Sequence, residues 1–284
     1  MRAGWRAAAF LLLSIVFLFA LAWVVGPLLR GHLNAQANLT PGFIALNELL
    51  LLIPVAAATA IMTWAEGRPF LSCGLTGNHR LRRLGLGFAA GLALLAIIIF
   101  ITFATGHAAI AWGGLVPASA LVFATAWAAA SLFTGFAEEI AFRGYLLQTL
   151  SRGAGFWPAL ILTSLLFGAL HSANSGENAI GIAAAGLGGA IMALAIRGTG
   201  ALWWAIGFHG AWDYAENFVA GTPDSGQICA YTLYRTSPHG ADLLSGGPTG
   251  PEGSLFALAL LIVAFGLAWI GFPRAPGAPK SPHQ

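Results

Sequence analysis

Glu138 and Glu139 stand side by side, with Arg143 four residues further on, inside a run dominated by Ala, Phe, Leu and Gly. On a helix Glu139 and Arg143 are i and i+4 with the acid first, the favoured order for an ion pair. Glu138 then points about 100° away and has no local partner. One tethered acid beside one free acid is a reasonable way to build a general base. Two further places offer matching chemistry. One is His171, a lone imidazole in an apolar run, and in the other His209 and Asp213 share a face one helical turn apart. Asp213 can accept from one ring nitrogen of His209 and so orient the other toward water or a substrate. Taken singly, each place also has a plain structural explanation, as an ion-pair knot or a hydrogen-bonded packing histidine. Glu216-Asn217 is a weaker candidate. Glu48 is isolated near the end of an apolar stretch and is read as peripheral.

These side chains must be positioned by elements built for lipid. Hydrophobic residues make up 58% of the 284, charged residues 8%, and the mean hydropathy is +0.79. A soluble domain carries roughly 25% charged residues, so the composition excludes an ordinary water-soluble enzyme. A span needs about 20 apolar residues, and eight such stretches occur, near 7–29, 43–64, 84–104, 117–150, 157–173, 179–196, 201–219 and 254–273. The fold class expected is all-α, a polytopic integral membrane bundle of about eight transmembrane helices in a single domain, 1–284. The polar segment 220–253, rich in Gly, Pro and Ser, reads as an external loop with little structure of its own. Gly87-xxx-Gly91 and Ala184-xxx-Gly188 read as helix-packing pairs.

Eight spans put both termini on one side. That side carries Arg2, Arg6, Arg68, Arg80, Arg82, Arg83, Arg152, Arg197, Arg274 and Lys280, against Arg30 and Arg235 opposite. The asymmetry places both termini in the cytoplasm, and the Ala- and Arg-rich composition suits a bacterial cytoplasmic membrane. The basic pI of 9.2 is thus an orientation signal and implies no nucleic-acid partner. The apolar run of the first segment is longer than the 7–15 residues of a signal-peptide core, so Ala35-Gln-Ala37 is not read as a cleavage site. Cys73 and Cys229 fall on opposite sides and cannot pair. The turn Arg152–Gly155 links the fourth and fifth helices, with Glu138 14 residues before Arg152 and His171 15 residues after Phe156. At 1.5 Å per residue both lie about 21 to 22 Å from the turn. A free carboxylate and an imidazole are therefore expected level on adjacent helices, with Asp213 and His209 joining them in a cavity opening toward the cytoplasm and Glu139 turned away to Arg143.

Glu-Glu-xxx-Arg at 138–143, Phe-xxx-His at 167–171 and His-xxx-Asp at 209–213 together resemble the three motifs of the CPBP intramembrane proteases. That family includes type II CAAX prenyl endopeptidases and bacteriocin-processing Abi proteins. The resemblance covers 131–217, within a catalytic core of about 117–219 that precedes the 220–253 loop and a last helix at 254–273. It implies an intramembrane endopeptidase acting on membrane-associated or lipid-modified peptides, with membrane lipids and a peptide or protein substrate as partners. It implies that Glu138 activates water with help from His171, that His209 and Asp213 stabilise the oxyanion, and that Glu139, Arg143 and Phe167 support them. The prenyl endopeptidases generally carry Asn at the position of Asp213, and an ionised Asp cannot donate to an oxyanion, which weakens a prenyl-substrate assignment. No cofactor is favoured. If a metal takes part it would be zinc on Glu138, His171 and His209, a three-ligand set with one open position, although the His-Glu-xx-His arrangement is absent. The rival functions are a catalytically silent scaffold or immunity protein of the same family and an ion- or proton-coupled transporter.

Overall fold

The computed structural model describes residues 3–33, 38–174 and 176–273. Arg2, Ala35–Ala37, Arg274 and Lys280, which entered the topology and signal-peptide expectations, lie outside the described residues, and the side chain of Arg30 is likewise not described. Each of the eight predicted stretches is helical: α1 (Ala3–Leu33), α2 (Pro41–Ala65), α3 (Arg80–Ala104), α4 (Pro117–Ala154), α5 (Phe156–His171), α6 (Ala179–Thr199), α7 (Trp203–Asp213, continuing through Tyr214–Ala220) and α8 (Leu255–Gly271). Five of them, α1, α2, α3, α4 and α6, are long and apolar enough to cross a bilayer among the described residues, while α5 and α8 are shorter apolar helices. The protein is an integral membrane helical bundle.

Local chemistry sets the helix ends. Thr40 caps α2 by accepting from Phe43 N, with Pro41 in the first turn where no amide hydrogen is needed. Asn178 Oδ1 accepts from the amides of Ile180 and Gly181 at the start of α6, and Ser254 Oγ from Ala257 N at the start of α8. Gly155, at φ 88°, makes the sharp turn between α4 and α5.

The helix α6 is the centre of the bundle, with 56% of its apolar window buried, whereas α1 buries 6% and faces lipid along nearly its whole length. Around α6 stand α5, α7 and α8, while α4 packs on α2 and α7, and α3 lies along α7. The α3–α7 contact is backbone to backbone. A Cβ at Gly87 would strike Trp204 O, and one at Gly91 would strike Phe208 O. That pair serves packing, as expected. Gly188 does not, because nothing lies within 4 Å of where its Cβ would be and it lines a cavity instead.

Two features depart from the expectation. The 220–253 segment has structure of its own. Its strand β2 (Tyr234–Pro238) pairs antiparallel with β1 (Ala108–Trp112), Leu39 bridges to Cys229, and a helical turn spans Asp242–Ser245. In addition, Ile140–Leu146 within α4 and Tyr214–Ala220 at the end of α7 are π-helical. The first begins inside a motif, directly after Glu138-Glu139, and contains Arg143; the second begins directly after the His209 to Asp213 motif. Such i→i+5 stretches are rare and concentrate at functional sites.

Candidate active site

The arginine is the anchor. Arg143 and Glu139 are both 0% exposed, and Arg143 Nη1 donates to Glu139 Oε1 at 2.9 Å. The guanidinium also lies over the ring of Phe167, 4.2 Å from its centroid. There is room for it only because residue 189 of α6 is glycine: a Cβ there would collide with Arg143 Nη2. Phe167 in turn packs against His171, centroids 4.7 Å apart, and meets His209 edge-on at 5.9 Å. One aromatic ring thus touches the ion pair and both motif histidines.

His209 is held from three directions. Its Nδ1 lies 3.3 Å from Glu139 Oε1, and its Nε2 lies 3.7 Å from Glu138 Oε2 and 3.9 Å from Asp213 Oδ1. This corrects two expectations. Glu139 is not simply turned away toward Arg143, because the same oxygen that takes the guanidinium also faces His209. The ring nitrogen that is held is held by Glu139, and Asp213 stands by the other one at a longer distance. The close approach comes from small residues: a Cβ at Gly135 of α4 would meet Ile206 O and Gly210 N of α7, and Gly210 packs on Ser131 and Leu132. That contact brings Glu138 and Glu139 against His209, a pairing 70 residues apart that no local spacing reveals.

His171 is the last residue of α5, and its Nδ1 lies 2.8 Å from Phe167 O, so a hydrogen there is donated to that carbonyl and Nε2 is left free. His171, His209 and Asp213 line one cavity of about 610 Å³, counting the part open to solvent, together with Phe167, Trp212 and four acids from outside the motifs, Glu177, Glu216, Asp224 and Glu252. Glu138 was expected in the same wall, but it is not among the lining residues; it stands 3.7 Å from Nε2 of His209, which is. The cavity was expected to open toward the side of the Arg152–Gly155 turn. It lies instead at the opposite end, under residues 177, 224, 225 and 252 of the α5–α6 and α7–α8 connections. The reason is the length of α5: a residue 15 positions past the turn is at the far end of a 16-residue helix.

Four acids were missed or discounted from sequence. Glu48 on α2 is in electrostatic reach of Glu138, Asp213 and His209, and its buried Oε2 has no hydrogen-bond partner. Asp224 and Glu252 sat in the segment read as a loop, and Glu177 lies between the fifth and sixth apolar stretches. Burial raises the carboxyl of Glu252 to about 8, with Asp224 and Glu177 adding to the effect, and burial likewise raises Asp224. The signal available beforehand was that these acids, in a chain with only ten, lie in the connections next to motif-bearing helices.

The ligand atoms of Glu138, His171 and His209 are not gathered as a group of three within 4.8 Å among the described residues. Among the described residues the group of three whose ligand atoms gather within 4.8 Å is Glu216, Asp224 and Glu252, and both nitrogens of His209 already face carboxylates. What the arrangement offers directly is a carboxylate, Glu138, with an unbonded buried oxygen beside an imidazole. A second imidazole lies across the cavity.

No curated protein matches the chain. Residues 120–215 match the family described as Rce1-like, type II CAAX prenyl endopeptidase. That stretch holds every residue of the three motifs, so the similarity covers the candidate site and about a third of the chain.

Proposed function

We propose that the protein is an intramembrane endopeptidase in which Glu138 activates water for attack on a peptide bond held in the cavity of His171, His209 and Asp213. The observation that carries this is the placement of His209, with Nε2 3.7 Å from Glu138 and Nδ1 3.3 Å from Glu139. Glu138 takes a proton from water, the hydroxide adds to the scissile carbonyl, and the proton is then delivered to the departing amine. His171, whose free Nε2 lines the cavity, helps position the water. His209, with Nδ1–H directed at Glu139, presents Nε2 to the reacting groups; protonated, it stabilises the oxyanion in a site where low dielectric strengthens such contacts. Asp213 adjusts the charge on that ring. Glu139 and Arg143 are positioning residues.

The substrate proposed is a peptide bond of a membrane-associated protein near the surface opposite the arginine-rich loops. Arg68, Arg80, Arg82, Arg83, Arg152 and Arg197 lie at the other end of the bundle from the cavity, and the positive-inside rule puts that end in the cytoplasm. The cavity then faces away from the compartment in which prenylated tails are made. The Asp at 213 points the same way.

The test is comparison of new peptide termini in membrane fractions of cells carrying the wild-type protein or Glu138→Gln. Termini present with the first and absent with the second, and reproduced by the purified protein in liposomes, are expected. Identical termini in both, with both proteins folded, would sink the proposal. Elemental analysis of the active preparation completes it, since stoichiometric zinc whose removal abolished cleavage would replace the Glu138-water mechanism.

A further inference from the structure

The cavity contains more carboxyl groups than peptide hydrolysis uses. Among the described residues five carboxyl groups line it, those of Glu177, Asp213, Glu216, Asp224 and Glu252, and no Lys or Arg does. Three of them come from separate stretches of chain, Glu216 from the π-helical end of α7, Asp224 from the connection that follows, and Glu252 from the turn that enters α8. Each supplies one oxygen, and these oxygens all lie within 4.8 Å of one another. Glu216 is the decisive member. It is 1% exposed, its Oε2 accepts the indole N–H of Trp212 at 3.0 Å, and its Oε1, also buried, has no N–H donor among the described residues, the side chain meeting Glu252 carboxyl to carboxyl. Glu252 is aimed by Ser225, whose amide and hydroxyl both donate to Glu252 Oε1 at 2.9 and 3.1 Å.

A buried carboxylate oxygen that meets other carboxyls and no N–H is costly, and ionised carboxylates at this range repel one another. A cation among them removes both penalties. We propose that Glu216, Asp224 and Glu252 form a binding site for a hard divalent cation of the calcium type. The donor set is oxygen only, with neither the imidazole nor the thiolate that zinc and copper prefer. Two of the three ligands sit on irregular connections, which suits the loose six- to eight-fold coordination of calcium better than the strict octahedron of magnesium. Bound there, the ion ties α7 to the strand-bearing segment and to the start of α8, bracing the part of the cavity wall built by Asp224, Ser225 and Glu252. It also places positive charge one helical turn from Asp213. The site stands apart from the peptidase proposal, and neither depends on the other.

The test uses full-length protein purified in detergent and stripped with EGTA at neutral pH. Thermal unfolding is followed as CaCl2, MgCl2 or ZnCl2 is added, and terbium luminescence sensitised by the adjacent Trp212 reports occupancy without any mutation. A saturable upward shift in Tm with calcium is expected, half-maximal between about 10⁻⁷ and 10⁻³ M, the span from sensor to extracellular sites. Terbium emission that calcium displaces is expected with it. Asp224→Asn and Glu252→Gln should each weaken the response at least tenfold, while Glu138→Gln keeps it. The proposal is overturned if calcium neither shifts Tm nor displaces terbium, or if zinc alone stabilises. It is overturned equally if the stripped protein gains stability on mild acidification while cations do nothing, which would mean that the carboxyls share protons instead, or if both variants respond as wild type does.

Discussion

At the arginine-rich end of the bundle, Glu66 receives the hydroxyl of Tyr145 and the Nε of Arg68 at 2.6 Å, with Arg6 3.7 Å away. At the other end, Glu48, Glu138, Asp213 and Glu216 each keep a buried oxygen with no hydrogen-bond partner. Burial alone would raise the carboxyl of Glu66, yet the bonds from Tyr145 and Arg68 and the nearby cations hold it below its usual range. Glu252, buried among Asp224 and Glu177, is pushed to about 8. The contrast teaches what each end is for. A carboxylate with every oxygen answered is a strut, and here it joins α1, α2 and α4. A cluster with unanswered oxygens is poised to take a proton, a water or a cation, and it coincides with the motif residues.

The largest effect expected from breaking this contrast is at Glu138. Glu138→Gln keeps the size and removes the base, so cleavage in liposomes should fall by roughly 10²- to 10⁴-fold while the unfolding temperature stays near that of the wild type. Full activity in the folded variant would end the division of labour between the two ends. Next comes Arg143→Ala, which leaves Glu139 as a buried charge without its cation. A loss of about 3–5 kcal/mol is expected, read as reduced folded yield and earlier thermal unfolding, and a variant as stable as wild type would show that the pair is not the anchor.

Asp213→Asn sharpens the comparison within the site itself. Because Glu139 faces Nδ1 of His209 at 3.3 Å and Asp213 stands 3.9 Å from Nε2, the tautomer survives the change, and activity should fall by less than about tenfold, less than one factor of 1.4 kcal/mol. A hundredfold loss would return the orienting role to Asp213. The smallest effect belongs to Glu66 and appears as pH dependence. A carboxyl held below its unfolded value contributes stability that is present above that value, about 4.5, and is lost as pH falls through the lower folded one. Unfolding temperature should therefore decline on acidification below about pH 4.5, and Glu66→Gln should flatten that decline. Equal slopes in the two proteins would count against Glu66 as a strut.

The helical spans were legible because a bilayer demands long apolar runs, and hydropathy averages over many residues. The Glu139–Arg143 pair and the shared face of His209 and Asp213 were legible because i, i+4 neighbours meet on any helix. Other features had no such local signature. The contact of Glu139 with His209 depends on how closely α4 and α7 approach at Gly135 and Gly210. The π-helical stretches arise from an altered hydrogen-bond register that residue types do not announce. Glu48 was discounted because its neighbours in sequence are apolar, although its neighbours in space are Glu138 and His209.

By itself, then, the sequence determined an all-helical membrane protein, the residue types of a peptidase-like centre and the two pairs that a single helix turn creates. The tertiary structure decided which nitrogen of His209 meets which carboxylate and at which end of the bundle the cavity lies. It also decided that Glu216, Asp224 and Glu252 converge. Those outcomes rest on the rotation and crossing of helices far apart in the chain, where a shift of one residue turns a side chain by about 100° and moves it from the cavity into lipid.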